Sequence, residues 1–176
     1  VNPAPPAFRD QLLAAIPRLR RYARTLVHDP ALADDLVQSA LERALTHWHQ
    51  FDQRRDMLVW LLAIAHNAQR DLQRREHRLS VLDPEQLQHV QDERDSDAGA
   101  DVGLQIDLNA ALQRLNPEQR ESLLLVCVEQ LSYAEVAEVM RVPVGTVMSR
   151  VCRARAAMRD ALEGRPRTAA AGLRRV

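Results

Sequence analysis

Residues 131–155 read LSYAEVAEVMRVPVGTVMSRVCRAR, two short helices joined by a tight turn. Ser132 stands three residues before Glu135, the capping-box spacing that starts a helix. Val136, Ala137 and Met140 continue it as an apolar stripe. Arg141-Val142-Pro143 interrupts the pattern, because proline lacks a backbone donor and disfavours the helical conformation in the residue before it. A second helix is predicted from about Val144 to Leu162, with Pro143 suited to its first turn. Val147, Val151, Ala154, Met158 and Ala161 fall in one apolar arc at 3.6 residues per turn. Thr146, Ser149, Cys152, Arg153 and Ala156 form the opposite face, small, polar and basic. Such a face suits a helix that enters a major groove, meets phosphates and reaches base edges. The stretch predicts a helix-turn-helix.

The composition agrees with an all-helical chain. Apolar residues make up 46% of the 176, but aromatics only 3%, so the cores must be aliphatic and alanine-rich. Five glycines and few alternating β-branched runs argue against sheets. The formal net charge of zero conceals a strong polarity. Residues 80–111 hold eight acids and one arginine, whereas residues 141–176 hold nine arginines and two acids. All 24 basic residues are arginine, for which a GC-rich coding genome is the plain explanation, although the guanidinium fork also suits phosphate and guanine. Cys127 and Cys152 are too few and too far apart for a disulfide framework or a zinc site, and read as reduced thiols. The histidines (His47, His49, His66 and His77 among them) show no metal-ligand pattern and are expected mostly at the surface. No charged-then-apolar leader opens the chain and no apolar run approaches 18 residues, which points away from export and membrane spanning.

Working outward, residues 1–6 (VNPAPP) are expected to be a disordered tail and residues 7–79 a helical domain. A first helix is expected over about Ala7–Ala15, with Pro17 read as a new start and the stripe continuing to Val27. Asp29-Pro30 reads as N-cap and first residue of the next helix, which runs to about His49. That helix is predicted to bury Ala33, Leu36, Val37, Ala40, Leu41, Ala44, Leu45 and Trp48. Its other side carries Asp34, Asp35, Gln38, Ser39, Glu42 and Arg43. After the polar loop FDQRRD (51–56), a helix over about Met57–Arg78 is expected to bury Trp60, Leu61, Ile64, Ala65, Ala68 and Leu72. Asn67, Arg70, Asp71, Arg74, Arg75 and Arg78 would line its exposed side. Residues 80–105 form an acidic linker, glycine-containing and poor in apolar residues. Residues 106–162 form the C-terminal helix-turn-helix domain. Within it Asn116-Pro117 starts a helix whose buried side is read as Leu123, Leu124, Val126 and Cys127. Residues 163–176 are a basic tail. The fold class is thus all-α, two small helical domains joined by a flexible acidic linker.

LNPEQRESLLL (115–125) followed by LSYAEVAEVMRVPVGTVMSRVCRARAAMRDAL (131–162) closely resembles the C-terminal domain of extracytoplasmic-function (ECF) sigma factors. LRRYARTLVHDPALADDLVQSALERAL (19–45) and FDQRRDMLVWLLAIAHNAQRDLQRR (51–75) are similar to their N-terminal domain. The resemblance covers residues 8–79 and 106–162. It implies a bacterial initiation factor that binds RNA polymerase core and promoter DNA, with no catalysis, no cofactor and no small-molecule substrate. It implies a cytoplasmic protein with an anti-sigma partner that covers both domains, often one anchored in the inner membrane.

By position, Asp34, Asp35, Gln38 and Glu42 correspond to the face that grips the polymerase clamp helices, though a merely solvated face is the plain alternative from periodicity. Ser39 departs from the glutamate often found there. Phe51, Gln53 and Arg54 lie in the loop that holds a base flipped from the non-template strand of the −10 element. Asn67 matches a position lining that pocket, while Arg70, Arg74 and Arg75 suit phosphates. At the −35 element, Ser149 and Arg153 are expected to reach bases, Gly145 and Thr146 to lie near phosphate at the helix start, and Cys152 to touch DNA or solvent. Met148 stands where the family commonly has lysine or arginine. Arg150 and Arg155 lean to the core edge as candidate ion-pair partners. Two other readings stay open: a sigma-like decoy that sequesters an anti-sigma factor, and a ligand-responsive helix-turn-helix regulator. The chain has no room for the receiver domain that usually accompanies the first, and the second should show a pocket or dimer face.

Overall fold

The computed structural model describes residues 3–27, 29–82, 108 and 110–163, with the side chains of 76–82 excepted. Every regular element among them is helical. The helices are α1 (Pro6–Leu26), α2 (Pro30–Thr46), α3 (Met57–Leu82), α4 (Pro117–Cys127), α5 (Tyr133–Met140) and α6 (Val144–Leu162). A 3-10 turn (Trp48–Gln50) follows α2, and residues 110–113 are helical ahead of α4.

Short polar side chains set the starts. Asp29 Oδ1 accepts from Ala31 N at 2.7 Å, and Asp56 Oδ1 from Leu58 N at 2.7 Å. Asn116 Oδ1 accepts from Glu118 N at 3.0 Å. Ser132 and Glu135 complete the capping box, Ser132 Oγ accepting from Glu135 N at 3.2 Å and Glu135 Oε2 accepting from Ser132 N at 2.7 Å. Each such cap satisfies donors that the first helical turn leaves open. At the other end of α5, Arg141 takes the left-handed conformation (φ 53°) and Val142 N donates to Ala137 O at 3.1 Å. This closing turn is one that glycine ordinarily occupies.

Helices α1, α2 and α3 pack on one another, as do α4, α5 and α6. Leu19, Tyr22, Ala33, Ala40, Leu61 and Leu62 sit at the centre of the first group; Leu125, Val136, Val139, Val147 and Val151 sit at the centre of the second. Alanine at the crossing points lets helices approach closely, so a core poor in aromatics still fills. The two groups also touch: α3 lies against α5, and α1 against α4.

Several expectations are corrected. Pro17 lies inside α1 and starts nothing. The carbonyl it leaves without a partner is that of Leu13; Leu13 and Pro17 are both exposed, so water can take that bond. The helix also begins earlier than residue 7, at Pro6, and Ala4 is already buried. Helix α2 stops at Thr46, and Leu45 is exposed. On α3, Leu72 is exposed and Trp60 and Ile64 are half-buried, whereas Val59, His66 and Gln69 are buried. On α4 the buried residues are Glu121, Ser122, Leu123 and Leu125; Leu124 and Val126 are half-buried and Cys127 is exposed. The departures on α3 and α4 share a cause, for each helix meets the other half of the molecule as well as its own core. His66, expected at the surface, is buried for the same reason. Helix α3 runs to Leu82, into the span read as linker; the rest of that span and the tail after Glu163 lie outside the described residues.

Candidate nucleic-acid interface

The outer face of α6 is presented as its periodicity demands. Gly145, Met148, Cys152 and Arg153 are exposed, and Thr146 and Ser149 are half-buried. A Cβ at Gly145 would meet nothing within 4 Å. Ser149 Oγ donates to Thr146 O at 2.9 Å, while Arg153 donates to Ser149 Oγ through Nη2 at 3.1 Å and to Ser149 O through Nε at 3.3 Å. Ser149 and Arg153 thus form one coupled pair on the exposed face, and Met148, 52% exposed, stands beside them as an apolar point. Arg150 turns inward to an ion pair with Glu118. Arg155 donates to Cys127 Sγ at 3.8 Å and makes no ion pair among the described residues.

The loop between α2 and α3 is built over an aromatic cluster. Phe51 lies edge-on to Phe8 with ring centroids 5.8 Å apart and tilted against Trp60 at 5.1 Å. At 8% exposure Phe51 supports the loop from beneath and forms part of the wall of the hollow beside it. Gln53 and Arg54 are exposed at the tip, where Asp52 Oδ1 accepts from Arg54 N at 3.0 Å. Beside them opens a hollow of about 520 Å³ lined by Pro5, Phe8, Trp48, His49, Phe51, Asp52, Gln53 and Arg54. Asn67 is not among its lining residues; it is half-buried, and its Nδ2 donates to Ala63 O at 2.7 Å. Trp48 and His49, which line the hollow, read from the sequence as a helix end. Arg70, Arg74 and Arg75 are exposed along α3.

On α2, Asp34, Asp35, Gln38 and Glu42 are all exposed on one side. Gln38 Nε2 donates to Glu42 Oε1 at 2.9 Å, and Asp34 pairs with Arg20 of α1 at 3.3 Å. Asp35 makes no ion pair among the described residues.

Polar groups fill the junction between the halves, and no periodic pattern announced them. Glu129, 3% exposed, accepts from Arg21 Nε at 2.7 Å and Nη2 at 3.0 Å and from Arg18 Nε at 2.9 Å. Arg18 also donates to the Glu129 carbonyl. Burial pushes this carboxyl up, but hydrogen bonds from Arg21 and Arg18, with their charges, outweigh it and hold the group below its ordinary value. Glu121 Oε1 accepts from Tyr22 Oη and from His66 Nδ1, the latter at 2.6 Å. Burial, then the charge of Glu121, push the Tyr22 phenol well above its ordinary value, so it stays a neutral donor. Arg55 of the loop pairs with Glu138 of α5.

Comparison with known proteins accounts for both halves. The family model described as Sigma-70, region 4 matches residues 105–158, and that described as the Sigma2 domain of PhyR matches residues 12–66. The chain is 36% identical over 155 residues to the ECF RNA polymerase sigma factor EcfG of Rhodopseudomonas palustris, covering 87% of this chain and 83% of that one. It is 34% identical over 147 residues to the RNA polymerase sigma-E factor of Streptomyces avermitilis, covering 84% and 80%. Among solved structures, the sigma factor RpoE of Bartonella quintana, in co-crystal with the anti-sigma factor NepR, matches with a TM-score of 0.78 at 28% identity over 91% of this chain and 99% of that one.

Proposed function

The chain belongs to the ECF sigma factors of bacterial RNA polymerase, and from that premise we propose which surfaces carry out promoter recognition. The acidic and amide side of α2, with Asp35 at its centre and Asp34, Gln38 and Glu42 around it, docks on the clamp helices of the polymerase core. Carboxylates of this kind steer and register a basic partner more than they add raw affinity. The hollow beside Gln53 and Arg54 receives a base drawn from the −10 strand. Extracting that base costs a few kcal/mol, which stacking on ring faces and hydrogen bonds from the loop must offset. Trp48 and His49 supply the rings, with Phe8 and Phe51 packed behind them, and Gln53 and Arg54 supply donors. Arg70, Arg74 and Arg75 meet phosphates along α3.

Helix α6 enters the major groove of the −35 element. Ser149 and Arg153 read base edges there, and Gly145 and Thr146 let a phosphate approach the helix start. Met148 brings an apolar contact where a cation would add phosphate affinity, and Cys152 a small one. The role is one of binding and strand opening, with no catalytic step. The protein acts in the cytoplasm, and no helix among the described residues is long and apolar enough to cross a membrane. An anti-sigma protein is the proposed regulatory partner, in keeping with the NepR complex of the Bartonella quintana protein; a membrane-anchored one would hold the chain at the inner membrane.

The carrying observation is that one chain presents an acidic exposed helix side and two separate basic faces, one on each half. The test is Asp35→Arg with Gln38→Ala, which should abolish capture of core polymerase while leaving helical content and melting temperature unchanged. Undiminished capture would remove the clamp assignment. The match of residues 12–66 to the PhyR Sigma2 model favours a second reading, a sigma-like decoy, which would bind an anti-sigma protein and support no initiation.

A further inference from the structure

We infer that α6 selects a thymine in the −35 element through its C5 methyl group, with Met148 as the contact and Val144 and Cys152 beside it. The inference rests on the proposed docking of α6 at the −35 element and adds a base that its hydrogen-bonding residues do not select.

The outer side of α6 carries two parallel rows of residues at four-residue spacing. Gly145, Ser149 and Arg153 make one row, in which Arg153 donates to Ser149 Oγ. Val144, Met148 and Cys152 make the other, and all three are exposed. Residues four apart share one side of a helix, so each row is continuous. Of the large apolar side chains exposed among the described residues, only Val144 and Met148, at 41% and 52%, stand one turn apart on one helix. Single exposed apolar residues are ordinary on a protein surface, whereas adjoining ones mark a contact. Val144 is the first residue of α6, so the pair occupies the end of a recognition helix that meets base edges.

The ligand follows from what this row lacks. Valine has no hydrogen-bonding group, and the Met148 thioether and Cys152 thiol have only weak ones. Such a row cannot sort donors from acceptors on a base edge, and it cannot hold a phosphate. What it can favour in the major groove is the thymine methyl, the one apolar group that a base displays there. Methionine suits that contact, because an unbranched and polarizable side chain with three rotatable bonds can seat itself on a methyl. Met148 and Arg153 are about 7.5 Å apart along the helix axis, or about two base-pair steps. The thymine therefore lies within about two steps of the base that Arg153 reads. A cation at the same position would meet a phosphate, which is the same at every sequence.

The test uses holoenzyme, core polymerase loaded with the full chain, on promoter duplexes taken from start sites mapped by transcription. Dissociation constants are measured by fluorescence anisotropy after each thymine of the −35 element is replaced in turn by deoxyuridine, which removes only the methyl. One replacement should weaken binding about fourfold, the worth of one buried methyl group. With cytosine at that position, methylation at C5 should recover about fourfold. Met148→Ala should abolish both methyl effects and leave the salt slope unchanged, and Met148→Leu should keep them. At an exposed position neither change endangers the fold. A −35 element without thymine in that span overturns the inference, as does wild-type indifference to every deoxyuridine. A Met148→Ala loss that is equal on thymine and deoxyuridine duplexes also overturns it, and gives the row to a protein surface instead. The underlying reading is checked apart. Failure of the wild type to tell the −35 element from a scrambled one removes the docking of α6, whereas discrimination without a methyl effect removes only the thymine contact.

Discussion

Truncating Arg153 to alanine separates base reading from phosphate contact on α6. Among the described residues the guanidinium donates only to Ser149 of its own helix, at 3.1 and 3.3 Å, on an exposed face. Intrahelical contacts of this kind are worth about 0.2–0.5 kcal/mol, so folding stability should change by less than ~0.5 kcal/mol. The cost in binding should be larger. A bidentate arginine–guanine pair discriminates by about 1–3 kcal/mol, and Arg153 is already turned toward Ser149, so little further ordering is needed. About 2 kcal/mol corresponds to roughly a 30-fold loss on the −35 duplex and almost none on a scrambled one. Fluorescence anisotropy on both duplexes across a salt series, with melting of the free variant, measures all three quantities. Equal losses on the two duplexes, with the salt slope reduced by about one, would make Arg153 a phosphate contact and refute the base-reading argument.

Three further outcomes follow from the local geometry. Arg141→Gly should stabilise the protein by about 0.5–1 kcal/mol in urea titration, because a left-handed residue with a Cβ is replaced by one without; a loss of stability would mean that the Arg141 side chain is itself part of the turn. Ser132→Ala removes the cap of α5 and should cost about 1 kcal/mol in the same assay, with no loss if Glu135 alone sustains the first turn. Glu129→Gln should alter the pH dependence of stability. The Glu129 carboxyl is held below its ordinary value of 4.5, so its contribution is complete above that pH and disappears as pH falls through the lower folded value. The difference between wild type and Glu129→Gln should therefore be full at neutral pH and vanish in acid. A difference that grew on acidification would contradict the ion-pair account.

How far the sequence foretold these arrangements depended on the range of the forces involved. The helix-turn-helix was legible because its signals are local. Ser132 and Glu135 are three residues apart, Pro143 stands next to the helix it precedes, and the Val147–Val151–Ala154–Met158 arc lies within one helix, which runs from Val144 to Leu162 as its pattern required. The all-helical class followed from the same periodicities. Pro17 misled because the proline rule supposes a buried or unsatisfied carbonyl, and here solvent reaches it. His66 and Glu121 were illegible for another reason. Their partners lie far along the chain, Glu121 being 99 residues from Tyr22 and Glu129 111 residues from Arg18. No hydrophobic period reports a face that buries polar groups against a second domain. The exposed stripe of the recognition helix was readable residue by residue, whereas the hollow at Trp48 and His49 depended on how a 3-10 turn folds back over Phe51.

Transcription from genomic DNA by core polymerase and the purified chain, with sequencing of the RNA 5′ ends, tests the central claim most directly. New start sites that share paired upstream elements at fixed spacing should appear. They should be lost with Asp35→Arg and Gln38→Ala, and choice of the upstream element should weaken with Arg153→Ala. A chain that binds core polymerase or an anti-sigma protein yet yields no new start sites would contradict that claim and leave the decoy reading in its place.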